Sequence, residues 1–168
     1  MDDSTPVEKP VAAAKSNQAT AYHEAGHAVV ALALGRAVQR VSILPKESRL
    51  GQCELKKGKV RQAHDPVEVE ILILLGGLAA EACYTGEYAW GGAQQDLRAV
   101  RAMTMRRATG EKQVERLERR LLDKVEHLLR DPAVWRATEL IAAELLRCTT
   151  ISGRTAKHLF ERAAAQME

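Results

Sequence analysis

The residues best suited to do chemistry lie in the segment 23–27, which reads H-E-A-G-H. Residues four apart on a helix share one face, so His23 and His27 can offer imidazole nitrogens to a single metal ion. Glu24 lies one step around the helix, too close in sequence to be a convenient third ligand but well placed beside a water molecule on the metal. The segment therefore predicts a Zn²⁺ ion held by His23 and His27, with Glu24 as the general base of a metallopeptidase.

A catalytic zinc ion needs a third protein ligand as well as an open coordination position, and the H-E-A-G-H segment does not supply that ligand. Two acids are candidates. Asp96 follows the loop at 90–93 and begins a predicted helix, where a turn can aim a short carboxylate inward. Glu81 lies on the preceding predicted helix and is the rival. The remaining histidines are predicted to be surface or structural residues: His64, His127 and His158.

A helix must carry the paired histidines, and the surrounding sequence predicts one. Ser16 or Asn17 can cap its start, and Gly35 closes it after Leu34 in the usual position at a helix C-terminus. Residues 1–15 contain prolines and an Ala-rich patch without sustained periodicity, which predicts a flexible N-terminal tail.

The elements that follow are mostly helical. Strand-like residues at 41–44 end at Pro45, and residues 50–55 suggest a second short strand. Asp65 and Pro66 form a good helix start, a cap followed by proline at the first helical position. Further helices are predicted at about 94–108, 111–129, 132–146 and 153–165.

These elements predict a mainly α fold with a small β element between the first two helices. The length fits one domain. It is predicted to comprise residues 16–168, with a metal-site core at 16–108 and C-terminal helices at 109–168.

The composition of the chain indicates how its core is filled and argues against a nucleic-acid-binding protein. Apolar residues make up 46% of the chain and aromatic residues only 4%, so aliphatic and alanine side chains must fill the core. The net charge of +3 is mild, and basic residues alternate with acids at 115–120, which favours a solvated helix face over a nucleic-acid interface.

Three features of the sequence bear on location. The cysteines are few and widely spaced, which predicts free, buried thiols in a reducing compartment. The first ten residues carry acids and prolines where a signal peptide needs a basic start and an apolar run. The longest apolar stretch, residues 71–80, is too short to span a bilayer, which takes about 20 residues. A soluble, cytoplasmic protein without a membrane span is expected.

A series of short motifs is more specific than H-E-A-G-H alone. They read H-E-A-G-H-A at 23–28, V-S-I-L-P at 41–45, L-G at 50–51, L-L-G-G-L-A-A-E at 74–81 and G-A-Q-Q-D-L at 92–97. In order and spacing they resemble the peptidase domain of FtsH-type AAA proteases, with a weaker similarity continuing to about residue 153. The resemblance implies that Asp96 is the third zinc ligand. It also implies that the strand at 50–55 is an edge where a substrate adds as an extra strand.

The predicted function is therefore that of a zinc metalloendopeptidase. The chain has no G-x-x-x-x-G-K-[ST] loop, so ATP binding is not expected from it, although the family carries an ATPase module. Peptides or unfolded proteins are the expected substrates, with a separate ATPase or regulatory partner as a further expectation. The family assembles into rings of six, largely through that module, which leaves the oligomeric state of this chain open.

Two alternatives remain beside the peptidase. The first is a zinc-containing regulatory or binding module with little or no activity, and the second is a helical protein without metal. The intact Glu24 favours the peptidase, because a purely structural zinc ion has no use for a carboxylate beside its ligands.

Overall fold

The computed structural model describes residues 8–47, 49–58 and 64–167, and the predicted mainly α fold is confirmed. In chain order, the elements are α1 (Glu8–Ala33), β1 (Val38–Ser42), β2 (Gln52–Leu55), α2 (Pro66–Thr85), α3 (Gln94–Thr104), α4 (Glu111–Leu129), α5 (Pro132–Cys148), β3 (Thr150–Ser152) and α6 (Gly153–Ala165).

Helix α1 begins earlier than the sequence predicts. It starts at Glu8, so Ser16 and Asn17 lie inside the helix and do not cap it. The extension has a physical reason, because proline is tolerated in a first helical turn and the alanines at 12–14 are strong helix formers. Of the predicted tail, residues 8–15 are therefore helical, and residues 1–7 lie outside the described residues.

The predicted end of α1 is confirmed. Gly35 adopts a left-handed conformation with φ of 77°. Its N–H donates to the carbonyl of Leu32 at 3.1 Å, and Arg36 N–H donates to the carbonyl of Ala31 at 2.8 Å. These bonds satisfy carbonyls of the last helical turn, which is why a glycine is favoured just past a helix end.

The start of α2 also follows the prediction. The Asp65 side chain accepts a hydrogen bond from Val67 N–H at 3.1 Å, and Pro66 occupies the first helical turn. This proline has no N–H to leave unsatisfied there. Helix α2 then runs to Thr85 and ends at Gly86, whose φ is 88°.

A small sheet lies beside the first helix. Strand β1 pairs antiparallel with both β2 and β3, giving the order β2-β1-β3. The sequence predicted only the two strands between α1 and α2, and it treated residues 150–152 as a break. Three residues are too few for an alternating pattern to be read, and β3 is defined by its pairing, with Ile151 opposite Val41.

The first two helices approach each other closely through glycines. A Cβ atom on Gly26 would lie 2.2 Å from the carbonyl oxygen of Gly76, and one on Gly76 would lie 2.8 Å from that of Gly26. No side chain fits at either position, so the backbones of α1 and α2 meet directly. Helix α1 also packs on α5 and on strands β1 and β2, so it crosses the centre of the molecule.

Two further expectations can be compared with the structure. The cysteines are free as predicted, but Cys83 and Cys148 are exposed instead of buried, and Cys53 is partly buried. Each exposed cysteine lies near the C-terminal end of its helix, α2 or α5, where the chain leaves the core. Among the described residues, no helix combines the length and the hydropathy needed to cross a membrane.

Candidate metal centre

Helix α1 carries the H-E-A-G-H side chains into the interior. His23, Glu24 and His27 are only 9%, 6% and 7% exposed, although all three are polar. Because the histidines are one helical turn apart, their rings stand next to each other, with centroids 4.8 Å apart and planes at 80°. Buried polar groups are costly unless they find partners, so the surroundings of these rings decide what they can do.

Asp96 comes from the first turn of α3 and reaches both rings. Its Oδ2 atom lies 3.1 Å from Nε2 of His23 and 3.2 Å from Nε2 of His27. A carboxylate in a first helical turn is favoured by the N–H groups exposed there. One ligand atom from each of the three residues lies within 4.8 Å of the others, the arrangement expected for a shared metal ion.

The opposite edges of the two rings are held by other groups. His27 Nδ1 donates to the backbone carbonyl of Ile73 at 2.7 Å, because a carbonyl can only accept. His23 Nδ1 donates to Glu81 Oε2 at 2.9 Å. Glu81, the rival third ligand, therefore faces the far nitrogen of His23 and does not join the cluster of Nε2 atoms and Asp96. Such contacts fix the ring orientation and tautomer of metal-binding histidines.

The set of groups fits a divalent cation. With its proton on Nδ1, a neutral imidazole presents only a lone pair at Nε2. Two such lone pairs and the carboxylate oxygen of Asp96 then converge on one point, where three acceptors repel each other unless a cation or extra protons lie between them. Two histidine nitrogens and one carboxylate, with side chains that are nearly buried, are a donor set that zinc prefers.

The charge states around Asp96 agree with this description. Burial alone would lower the pKa of His23, but its hydrogen bonds to Asp96 and Glu81 outweigh burial and raise it to about 9. Burial would raise the pKa of Asp96, yet its hydrogen bonds to His23 and His27 hold it well below the usual range. Both shifts favour the charged forms, a protonated His23 beside an ionised Asp96.

Glu24 lies beside this cluster and against the loop that leads into β2. Burial raises the pKa of its carboxyl group, while His27 and His23 partly offset the increase. A Cβ atom on Gly51 would lie 2.7 Å from Glu24 Oε1, so the absence of a side chain at Gly51 leaves room for the carboxylate. The buried carboxyl group is thus held next to the cluster of His23, His27 and Asp96 and close to Gly51, just before β2.

An open cleft of about 570 Å³ exposes this cluster to solvent. One wall is the edge strand β2 with the residues before it, and the others are formed by α1, the middle of α2 and the start of α3. Apolar and charged side chains both reach the cleft: Arg49, Leu50, Leu55, Glu70, Ile73, Leu74 and Arg98.

A family model matches this chain across the whole of the region just described. The model is that of peptidase family M41, and it covers residues 10–111 of the 168. The chain belongs to peptidase family M41. The match includes α1, the first two strands, α2 and α3, which together carry every member of the cluster. The predicted resemblance to FtsH-type peptidase domains is thereby confirmed.

Named relatives of this M41 chain are ATP-dependent zinc metalloproteases called FtsH. The one from Chlamydia trachomatis serovar L2 is 35% identical over 88 residues, which is 50% of this chain and 10% of the relative. The one from Magnetococcus marinus is 39% identical over 90 residues, 51% of this chain and 13% of the relative. The one from Marinobacter nauticus is 33% identical over 101 residues, which is 58% of this chain and 16% of the relative. The chain thus spans only a small part of each relative's length.

The structure brings together the residues that the sequence singled out, namely His23, Glu24, His27 and Asp96. Their roles as zinc ligands and general base remain predictions. Sequence reasoning did not anticipate the carbonyl of Ile73 as a partner of His27, because a backbone group leaves no signal in residue types. His64, His127 and His158 are exposed, and none of them belongs to the cluster.

Proposed function

We propose that this chain is a zinc-dependent metalloendopeptidase in which His23, His27 and Asp96 hold the ion. The observation that carries the proposal is the convergence of the two Nε2 atoms on Asp96 Oδ2, at 3.1 and 3.2 Å. A site that only stabilised the fold would close four protein ligands around the metal, whereas three ligands beside an open cleft leave a position for substrate.

In the proposed reaction, Glu24 moves the protons. Bound Zn²⁺ would supply Lewis-acid activation of water and of the scissile carbonyl. Glu24 accepts the proton of the water as it attacks the peptide carbon, and then delivers that proton to the leaving nitrogen. A carboxylate suits both steps, because it can accept a proton from the water and, once protonated, can donate that proton to the amine.

The edge of β2 is proposed to bind the substrate main chain. It is an edge strand in the described part of the chain and lines the same cleft as Glu24. A peptide added to such an edge is held by main-chain hydrogen bonds, which tolerate many side-chain sequences. This mode requires an extended segment but no free chain end, which favours endopeptidase activity on peptides or unfolded proteins.

The relatives are named ATP-dependent, and the sequence printed here has no phosphate-binding loop of the G-x-x-x-x-G-K-[ST] type. We therefore propose that any unfolding of a folded substrate depends on an ATPase that residues 1–168 do not supply. The predicted cytoplasmic location, the absence of nucleic-acid binding and the division of the chain at residue 108 stay predictions, as does the oligomeric state.

The direct test is Glu24→Gln, assayed on an unstructured fluorogenic peptide library together with zinc content. Loss of the base is expected to reduce kcat by roughly 10²–10⁴-fold while about one zinc per chain is retained. Glu70→Gln is the matched control, since Glu70 lines the same cleft, is exposed and has no proposed role.

Other outcomes would change the proposal in different ways. Cleavage by Glu24→Gln at the parent rate would remove Glu24 as the base. Zinc in the parent without cleavage of any peptide, with or without an added ATPase, would favour the regulatory or binding module.

A further inference from the structure

Gly77, in the middle of α2, faces the paired histidine rings. A Cβ atom placed there would lie 2.5 Å from Nε2 of His27, 2.6 Å from Nε2 of His23 and 2.6 Å from Cε1 of His27. These ring atoms are the nearest neighbours of the Cβ position, and all three distances are shorter than van der Waals contact. The α-hydrogen of Gly77 that a Cβ atom would replace therefore borders the space on which both Nε2 atoms converge.

A glycine inside a helix has a cost, because alanine is more favourable there by roughly 0.5–1 kcal/mol. The preceding residue, Gly76, is accounted for by the close approach of α1, since its Cβ would meet the backbone of Gly26 and the side chain of Val30. Gly77 has no such backbone neighbour among its nearest atoms. Its nearest neighbours are atoms of the His23 and His27 rings, which can rotate away from an added side chain.

We infer that Gly77 is a positioning residue. Because it has no side chain, the space between the two Nε2 atoms stays open for the metal ion. A methyl group at this position would compete with a cation for the space between the two Nε2 atoms, or would turn the rings away from each other. The first result takes the space of the ion, and the second moves the nitrogens away from Asp96; the backbone of α2 stays in place in both. This inference rests on the proposed zinc site, but it concerns a residue that neither binds the ion nor takes part in the reaction.

The first experiment measures zinc affinity of the parent, Gly77→Ala and Gly91→Ala by competition with a chromophoric chelator. Gly91 is the matched control, because it lines the same cleft and a Cβ atom there would meet nothing within 4 Å. Gly77→Ala is expected to weaken zinc binding by more than the roughly 10–100-fold effect of losing a hydrogen bond to a ligand. Gly91→Ala is expected to bind as the parent does.

The second experiment tests whether the histidine rings cause the effect of Gly77→Ala. Gly77→Ala is introduced into the parent and into a His23→Ala/His27→Ala background, and thermal unfolding is followed without metal. In the parent, the alanine is expected to lower Tm, because it collides with the rings. In the ring-free background it is expected to raise Tm by about 1–4 °C, the usual gain from alanine over glycine in a helix.

The outcomes separate the inference from the proposed function. A parent that binds no zinc would contradict the proposed function, while the Tm comparison would still test the collision. A parent and a Gly77→Ala variant that bind zinc equally would overturn the inference and leave the function standing. If Gly77→Ala does not fold, recovery of folding in the ring-free background supports the inference, and failure there as well overturns it.

Discussion

The region of the proposed metal site (α1, α2 and α3, the metal-site half) and the C-terminal helices (α4, α5 and α6, the C-terminal half) differ in what their interiors bury. Around α1, α2 and α3, backbones meet through glycines and the interior encloses His23, Glu24 and His27. In α4, α5 and α6 the buried side chains are aliphatic apart from Thr138, and charged residues pair at the surface, as Glu144 does with Arg147. Gly153, at the start of α6, also approaches the backbone of β1 closely, so the difference lies in the buried polar groups and not in the glycines. The buried aliphatic residues of the C-terminal half include Leu121, Val125, Leu129, Ile141, Leu145 and Leu159.

The difference shows where the sequence departs from what stability alone would favour. A buried imidazole or carboxylate is costly to desolvate, and an interior glycine lowers helix stability. Departures of this kind are expected at functional sites and must be offset by packing elsewhere. The C-terminal half, whose surface ion pairs contribute little, supplies such packing through its apolar interior.

The largest expected effect on stability comes from removing a core side chain in the C-terminal half, and it should leave the proposed metal site unaffected. Ile141→Ala, at a fully buried position in α5, is expected to reduce the free energy of unfolding by about 2–5 kcal/mol through lost burial and a cavity. Urea unfolding of the zinc-free protein measures this change. Zinc affinity of the folded variant at low temperature is expected to match that of the parent.

The matched control for this comparison is Leu146→Ala on the same helix, where the side chain is 40% exposed and a small effect is expected. Equal destabilisation by Ile141→Ala and Leu146→Ala would contradict the assignment of the core. Loss of zinc affinity in folded Ile141→Ala would show that the two halves are coupled.

A smaller effect is expected from changing Glu81, whose carboxylate accepts the hydrogen bond of His23 Nδ1. Glu81→Ala removes the acceptor of the Nδ1 hydrogen bond and is expected to weaken zinc binding about 10–100-fold. Glu81→Gln keeps an oxygen acceptor and should weaken binding less. Chelator competition on both variants measures the difference. A complete loss of zinc in Glu81→Ala, equal to the loss in Asp96→Ala, would instead make Glu81 a ligand.

Taken per pH unit, the smallest expected effect is the pH dependence of zinc binding. In the metal-free protein the pKa of His23 is raised to about 9, so His23 carries a proton that a metal must displace. Protons therefore compete with zinc below that pKa, and the apparent affinity should rise about tenfold per pH unit from pH 7 to 9 and then level off. Titration calorimetry in two buffers of different ionisation enthalpy should find about one proton released per zinc at pH 7.5.

This pH dependence is expected to belong to the metal-site half alone. The matched variant is His158→Gln, which changes an exposed histidine on α6. It is expected to leave the proton release unchanged. Zinc affinity that does not vary between pH 7 and 9 would contradict the protonated His23.

The sequence was most informative where local chemistry decides the outcome. The spacing of His23 and His27 predicted their shared face, and Asp65 predicted the start of α2. The sequence was least informative where distant segments meet. Strand β3 exists through its pairing with β1, and the position of Glu81 behind His23 depends on how α2 is rotated against α1.

The start of α1 shows a different limit. Ser16 is a good capping residue, but an alanine-rich segment before it can continue the helix just as well. A local signal can name a suitable cap without excluding a longer helix. Asp96 shows the opposite case, since the resemblance to a known family selected it over Glu81 where the residues alone could not.

The measurement that tests the central claim most directly is the zinc content of the purified parent beside Asp96→Ala, by elemental analysis, with circular dichroism to confirm folding. The proposed site predicts about one zinc per chain in the parent and clearly less in the folded variant. A parent prepared without chelators that holds no zinc would contradict the metal centre itself. Full occupancy in Asp96→Ala would contradict Asp96 as the third ligand.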